Sequence, residues 1–409
     1  SIDRATPPSR LITFAETIDH HRRNPQSNPK ATENSMVSTG CSVPVPAPAT
    51  WNLSEEVQDL RAATARFARE RLEPLLRQSP NPSAWIETIR LAATLELGRM
   101  ILPEADGGIA ISRHDLALVI EQFAAGPLER ATQLTLSSPA LMTLRECQAL
   151  DCLPDQDVDR YFDGTTSFAP GIADLNGAGV WVLHQHRASP FMTIQNRNGH
   201  TVLVVATPDA DTPDAGEAAV AFQDGLSLVH YDLAACKAHL ATVPPTAGTE
   251  PHDAARQWLV DVALYFGALL SGALQQSADF ALSYSVSRQS FRKPLAAHQL
   301  VASRIADLVT AAHVSHLFLR RAAMPDGDMQ VATVGQMARH VATEALDASR
   351  ELVQLCGGHG YVEGLPPAAR FQTMHWFAML LGKVGQALAA TAPASGETES
   401  PHEQLRPAR

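Results

Sequence analysis

Apolar positions at helical spacing begin just after Trp51. Ser54 precedes Glu55 and Glu56, an N-cap followed by an acidic first turn, and Val57, Leu60, Thr64 and Phe67 then recur on one helical face. Pro74 marks an end. Asn81-Pro82-Ser83 opens a second helix through Trp85, Ile86 and Ile89, and Ser112 caps a third over SRHDLALVIEQFAA. Residues 131–150 are a candidate fourth. From about Asp163 to Val243 the pattern shortens to apolar runs broken by turn residues. WVLHQ, FMTIQ, TVLVVA, AVAF and LSLVHY are the candidate strands, with Asn196-Arg197-Asn198-Gly199 as a hairpin turn. After Pro251 one long helical pattern runs through QWLVDVALYFGALLSGALQQSADFALSYSVSRQ. Its small residues Gly267, Ser271, Gly272 and Ala273 admit a second helix at close range. Three further helices are expected over 298–323, 328–355 and 366–390.

The order predicts a mostly α, α+β chain: an N-terminal helical domain (51–160), a small middle β domain (161–250) and a C-terminal four-helix bundle (251–391). Residues 1–50, rich in Pro, Ser, Thr and Asn, read as a disordered leader, with Met36 as an alternative start, and 392–409 as a loose tail. The net charge of −11, without a basic stripe, argues against nucleic acid or an anionic membrane as partner. The five cysteines form no C-x-x-C pair, which argues against a disulfide framework or structural zinc and for a reducing, cytoplasmic setting. No apolar run approaches the roughly 20 residues that cross a bilayer. His313-x-x-His316 and His184-x-His186 have ligand-like spacing but no third ligand, so no metal is expected.

Three local patterns carry a resemblance. LGRMILPEADGGI (97–109), followed by the helix ending in Glu121-Gln122, is the first. YSVSRQSFRKPLAAHQ (284–299) is the second, and QLCGGHGY (354–361) the third. Together they resemble the acyl-CoA dehydrogenases, over roughly Trp51 to Ala389. The resemblance implies FAD as cofactor and an acyl-CoA thioester as substrate. It also implies an oligomer in which one subunit reaches its neighbour's FAD, and a separate electron acceptor. It places Arg288, Ser290, Phe291, His298, Gln299, Gln354, Gly357 and Gly358 at the cofactor. The chemistry agrees: a guanidinium forks onto phosphate oxygens, and glycine lets backbone N–H groups approach a ligand.

Desaturation also needs a base to remove the proton from Cα while a hydride leaves Cβ for the flavin. The two positions where the family keeps its glutamate are Leu381, counted into the loop before the last helix, and Val262 on the first bundle helix. Asp261 is the one in-chain candidate, but it lies one residue, or about 100° of helix, away from Val262. Lys383-Val384-Gly385 stands where the family's Thr-x-Gln contacts FAD, Arg292 replaces the usual Gly after Phe, and the sheet stretch that packs against the flavin ring has no convincing counterpart. A chain of this kind resembles the base-lacking subunit of bacterial heterotetrameric acyl-CoA dehydrogenases, whose partner is a Glu-bearing homologue. The alternatives are a non-catalytic partner subunit, or another flavin or acyl-thioester reaction on the same scaffold.

Overall fold

The computed structural model describes residues 53–391, except 79, 175–178, 186–188, 198–199, 209–219, 222–224, 234–239, 245–249, 326–328 and 363. The expected leader, the tail and Trp51 lie outside these residues, as do His186 and the Asn198-Gly199 half of the hairpin turn.

The N-terminal helices start where their caps are. Ser54 Oγ accepts from Val57 N at the head of α1 (Glu55–Phe67), Asn81 Oδ1 from Ala84 N at α2 (Pro82–Ala93), and Ser112 Oγ from Asp115 N at α4 (Arg113–Phe123). A short α3 (Leu97–Ile101) lies between the last two. The candidate fourth helix is two: α5 (Leu128–Thr135) and α6 (Ser138–Glu146).

Seven strands form one sheet: β1 (Ala169–Ala173), β2 (Gly179–His184), β3 (Phe191–Arg197), β4 (His200–Ala206), β5 (Val220–Ala221), β6 (Ser227–Asp232) and β7 (Leu240–Thr242). Their order is β5-β6-β2-β1-β3-β4-β7, with β1 and β3 parallel and the other pairs antiparallel. The β3–β4 register, Arg197 opposite His200, agrees with the expected hairpin.

Four long helices complete the chain: α7 (Pro251–Ser287), α8 (Gln299–Ala323), α9 (Met329–Cys356) and α10 (Pro366–Thr391). A capping box fixes the start of α7: the Asp253 carboxylate accepts from Glu250 N, and the Glu250 side chain accepts from the backbone N–H of Asp253. α7 packs on α8, α9 and α10, and on α4 and α6 from the N-terminal domain. It has the length and apolarity of a membrane span (mean hydropathy 1.4), which the sequence reading did not anticipate, but its apolar window is 94% buried inside the fold.

The small residues of α7 mark its closest neighbours. A Cβ on Gly272 would lie 2.1 Å from the carbonyl oxygen of Glu121 on α4, and one on Gly267 would press on Met337 of α9. Beside that contact the buried Glu121 carboxylate accepts from Ser271 Oγ (2.6 Å) and His316 Nδ1 (2.9 Å), joining α4, α7 and α8. Arg370 on α10, 3% exposed, donates to the Ala124 and Ala125 carbonyls at the end of α4, and burial pushes its pKa down to about 10.

Candidate active site

The second and third motifs meet at one end of the bundle. α7 stops at Arg288, whose backbone is extended (φ −80°, ψ 127°), and the guanidinium stands exposed there. A two-residue hairpin follows, between β8 (Gln289–Ser290) and β9 (Lys293–Pro294). Its central residues, Phe291 (φ 51°) and Arg292 (φ 66°), both take the left-handed conformation that such turns demand. That geometry is the reason a glycine suits the position Arg292 occupies. Phe291 projects into solvent, 90% exposed, its ring 6.1 Å from that of His298. His298 Nε2 lies 3.2 Å from the Ser290 carbonyl oxygen, and Gln299 opens α8 at the surface.

The glycine segment follows α9 directly. Tyr284 OH lies 2.9 Å from His359 Nδ1 and reaches the Cys356 carbonyl oxygen at 3.4 Å, so the end of α7 is tied to this segment. Gln354 Nε2 donates to Tyr361 OH at 3.3 Å. The three glycines differ in kind. A Cβ on Gly360 would sit 2.3 Å from the Val353 carbonyl oxygen, so packing alone requires glycine there. A Cβ on Gly357 or Gly358 would meet nothing within 4 Å. Gly357 has φ +57°, but Gly358 has neither a positive φ nor a neighbour to avoid. No packing inside the described residues requires a glycine there.

The candidate base sits elsewhere. Asp261 is 4% exposed on α7. Its Oδ1 accepts from Arg113 Nε (2.7 Å), and its Oδ2 from Thr143 Oγ1 (2.8 Å) and Gln257 Nε2 (3.2 Å). Burial works against the charge on Arg113, but the carboxylates of Asp261 and Glu146 outweigh it and hold its pKa above the ordinary value. Asp261 edges a cleft walled by Leu116, Ile120, Met142 and Leu264; its cavity volume, about 20 Å³, admits about one water. The Asp261 carboxylate is thus held by three donors, one of them the paired Arg113 guanidinium, in a structural role. Val262 (1% exposed) and Leu381 (0%) are fully packed. Leu381 does not lie in a loop before the last helix, as the count implied: α10 is continuous across it.

A second polar cluster joins the sheet to α10. Asp174, at the end of β1, accepts from Trp181 Nε1 on β2 (3.0 Å) and from His230 Nε2 on β6 (2.7 Å), and Lys383 Nζ from α10 lies 3.7 Å from the same carboxylate. No spacing in the sequence pointed to this group. His316 is engaged by Glu121, and the His184 ring stands edge-on to Phe191 and Tyr231. Among the described residues no three potential ligands gather for a metal.

Comparison with known proteins agrees with this architecture. Residues 54–145 match the family described as acyl-CoA dehydrogenase, N-terminal domain, and residues 260–383 match acyl-CoA dehydrogenase, C-terminal domain. A cyclohex-1-ene-1-carbonyl-CoA dehydrogenase of Geobacter metallireducens is 33% identical over 103 residues, 24% of this chain and 27% of that protein. The chain thus matches only about a quarter of the length of that relative. A mitochondrial isobutyryl-CoA dehydrogenase of Dictyostelium discoideum is 22% identical over 370 residues, 79% of this chain and 84% of that protein. The solved butyryl-CoA dehydrogenase of Megasphaera elsdenii superposes with a TM-score of 0.64 at 15% identity, covering 84% of this chain and 99% of that one.

Proposed function

The chain belongs to the acyl-CoA dehydrogenase family, and on that premise we propose that it is the supporting subunit of an FAD-dependent acyl-CoA dehydrogenase. In this reading it lends its bundle end to a cofactor shared with a second, Glu-bearing homologue. FAD, when bound, supplies the hydride acceptor for α,β-desaturation of an acyl-CoA thioester. The residues of this chain do the holding. Arg288 forks onto the pyrophosphate, Ser290 adds a hydroxyl donor, and Gly357 and Gly358 bring backbone N–H groups to the nucleotide. Gln354 and Gln299 flank it, and Phe291 and His298 pack where the partner arrives. The proton at Cα is left to a carboxylate of the partner, because Leu381 and Val262 carry none and Asp261 is committed to Arg113.

The observation that carries this reading is the open backbone at Gly358, where a Cβ would meet nothing within 4 Å, in the segment that Tyr284 ties to the end of α7 through His359. The test is co-expression with the Glu-bearing homologue and measurement of flavin dissociation from the complex. Arg288→Ala should weaken FAD by about 2–3 kcal/mol, the scale of a charge-assisted hydrogen bond. Flavin held equally well by that variant would remove Arg288 from the site. The packed state of Leu381 and Val262 also favours a second reading, a partner subunit with no part in the chemistry; it predicts a complex whose turnover is indifferent to Arg288.

A further inference from the structure

We propose that Tyr284 and His359 are positioning residues: together they clamp the open backbone of Gly357 and Gly358 to the end of α7. What that backbone receives rests on the reading above; the clamp itself stands on the geometry. The segment is fixed at its flanks. Cys356 is buried in the last turn of α9, and Gly360 is pressed against the Val353 carbonyl oxygen, where a Cβ would fall at 2.3 Å. Between these points Gly357 and Gly358 carry no side chain, and a Cβ on either would meet nothing within 4 Å. Packing therefore does not restrain them, and glycine loses more conformational freedom on ordering than any other residue. His359 is the one side chain from Gly357 to Gly360 through which the segment can be held.

Tyr284 supplies the hold. Its hydroxyl lies 2.9 Å from His359 Nδ1 and donates to the Cys356 carbonyl oxygen at 3.4 Å, so one phenol meets the residues on both sides of the glycine pair. A hydroxyl both donates and accepts, so the pair closes whichever imidazole nitrogen carries the proton. The phenol ring is itself held. It stacks on Phe280, one turn back on α7, at 5.9 Å and 18°, and stands edge-on to the imidazole. Burial raises the Tyr284 pKa, Cys356 adds to the rise and Arg288 opposes it, so the hydroxyl keeps its proton at neutral pH. The Tyr284 carbonyl oxygen accepts from Arg288 N at 2.8 Å, across the last turn of α7. Tyr284 thus holds the turn into Arg288 with its backbone and the glycine segment with its side chain. The Tyr-x-x-x-Arg spacing of the second motif, one helical turn, is what allows one residue to do both.

Amide hydrogen exchange over residues 357–361 of the full chain reads the clamp directly. Tyr284→Phe and His359→Leu should each speed exchange about fivefold, the factor that one net hydrogen bond imposes on a local opening. The double variant should be no faster than either single one, because both remove the same bond. His359→Asn, whose amide oxygen can take the place of Nδ1, should exchange like the wild type. Unchanged exchange in Tyr284→Phe and His359→Leu would overturn the clamp, and so would equal acceleration by His359→Asn and His359→Leu. Flavin dissociation from the complex with the Glu-bearing homologue is measured on the same variants and should follow the same order. Faster exchange with unaltered flavin dissociation would support the clamp and count against the nucleotide reading of the segment.

Discussion

Asp261→Asn separates a structural carboxylate from a catalytic one. In the wild type, both oxygens are occupied by donors from three elements, and the side chain is 2% exposed. Asparagine keeps the shape but turns one oxygen into an NH2 that faces donors. It also leaves the Arg113 guanidinium, 16% exposed, with only Glu146 at 3.4 Å to answer its charge. Breaking a buried pair from one side costs about 3–5 kcal/mol. The retained amide oxygen and Glu146 place this case at the lower end, about 3 kcal/mol. At roughly 2 °C per kcal/mol for a chain of this size, the unfolding midpoint should fall by about 6 °C. Replacing both partners, Asp261→Leu with Arg113→Met, should cost less than either change alone, since no buried charge is then left unpaired. The assay is thermal unfolding followed by circular dichroism, beside dye reduction with acyl-CoA on the same samples. An Asp261→Asn protein with an unchanged midpoint and abolished turnover would refute the argument and make Asp261 the base.

Two further outcomes follow from the geometry. Arg292→Gly should stabilise the chain by about 1 kcal/mol, because φ 66° is strained for arginine and free for glycine; denaturant unfolding reads it, and a loss of stability would show that the arginine makes a compensating contact. Burial works against the charge on Glu146, but Arg113 and Arg145 outweigh it and hold its pKa below the ordinary carboxylate range. The unfolded chain therefore binds more protons, so this contribution is present at neutral pH and is lost as pH falls below about 4 through the depressed value. Glu146→Gln should flatten the acid limb of a stability–pH curve, and an identical limb in the variant would contradict the pairing.

What could be read in advance followed from local chemistry. The caps at Ser54, Asn81 and Ser112 fixed helix starts because a side-chain oxygen and a free backbone N–H lie within one turn. Gly272 announced a close helix contact, and α4 fills it. Two strands of the seven-stranded sheet escaped notice for physical reasons. β1 is spelled APGIA, poor in β-branched residues, and is held by its place between β2 and β3; β7 has only three residues. The split into α5 and α6 was blurred because Thr132, Gln133, Thr135, Ser137 and Ser138 are all buried, which erases the polar face that periodicity relies on. The site divided in the same way. The motif residues at the bundle end were named from their order along the chain, and the structure brings the second and third motifs together through Tyr284 and His359. The partners of Asp261 and Lys383 were not: Arg113 lies 148 residues from Asp261, and Asp174 meets Lys383 only after the sheet has docked on α10.

The central claim is that this chain holds a cofactor but removes no proton. The direct measurement is acyl-CoA-dependent dye reduction by the purified chain in saturating FAD, alone and then with the Glu-bearing homologue. No turnover alone and turnover in the mixture is the predicted result, since losing a positioned base costs 10²–10⁴-fold, roughly, in general acid–base catalysis. Robust turnover by the chain alone would contradict the account.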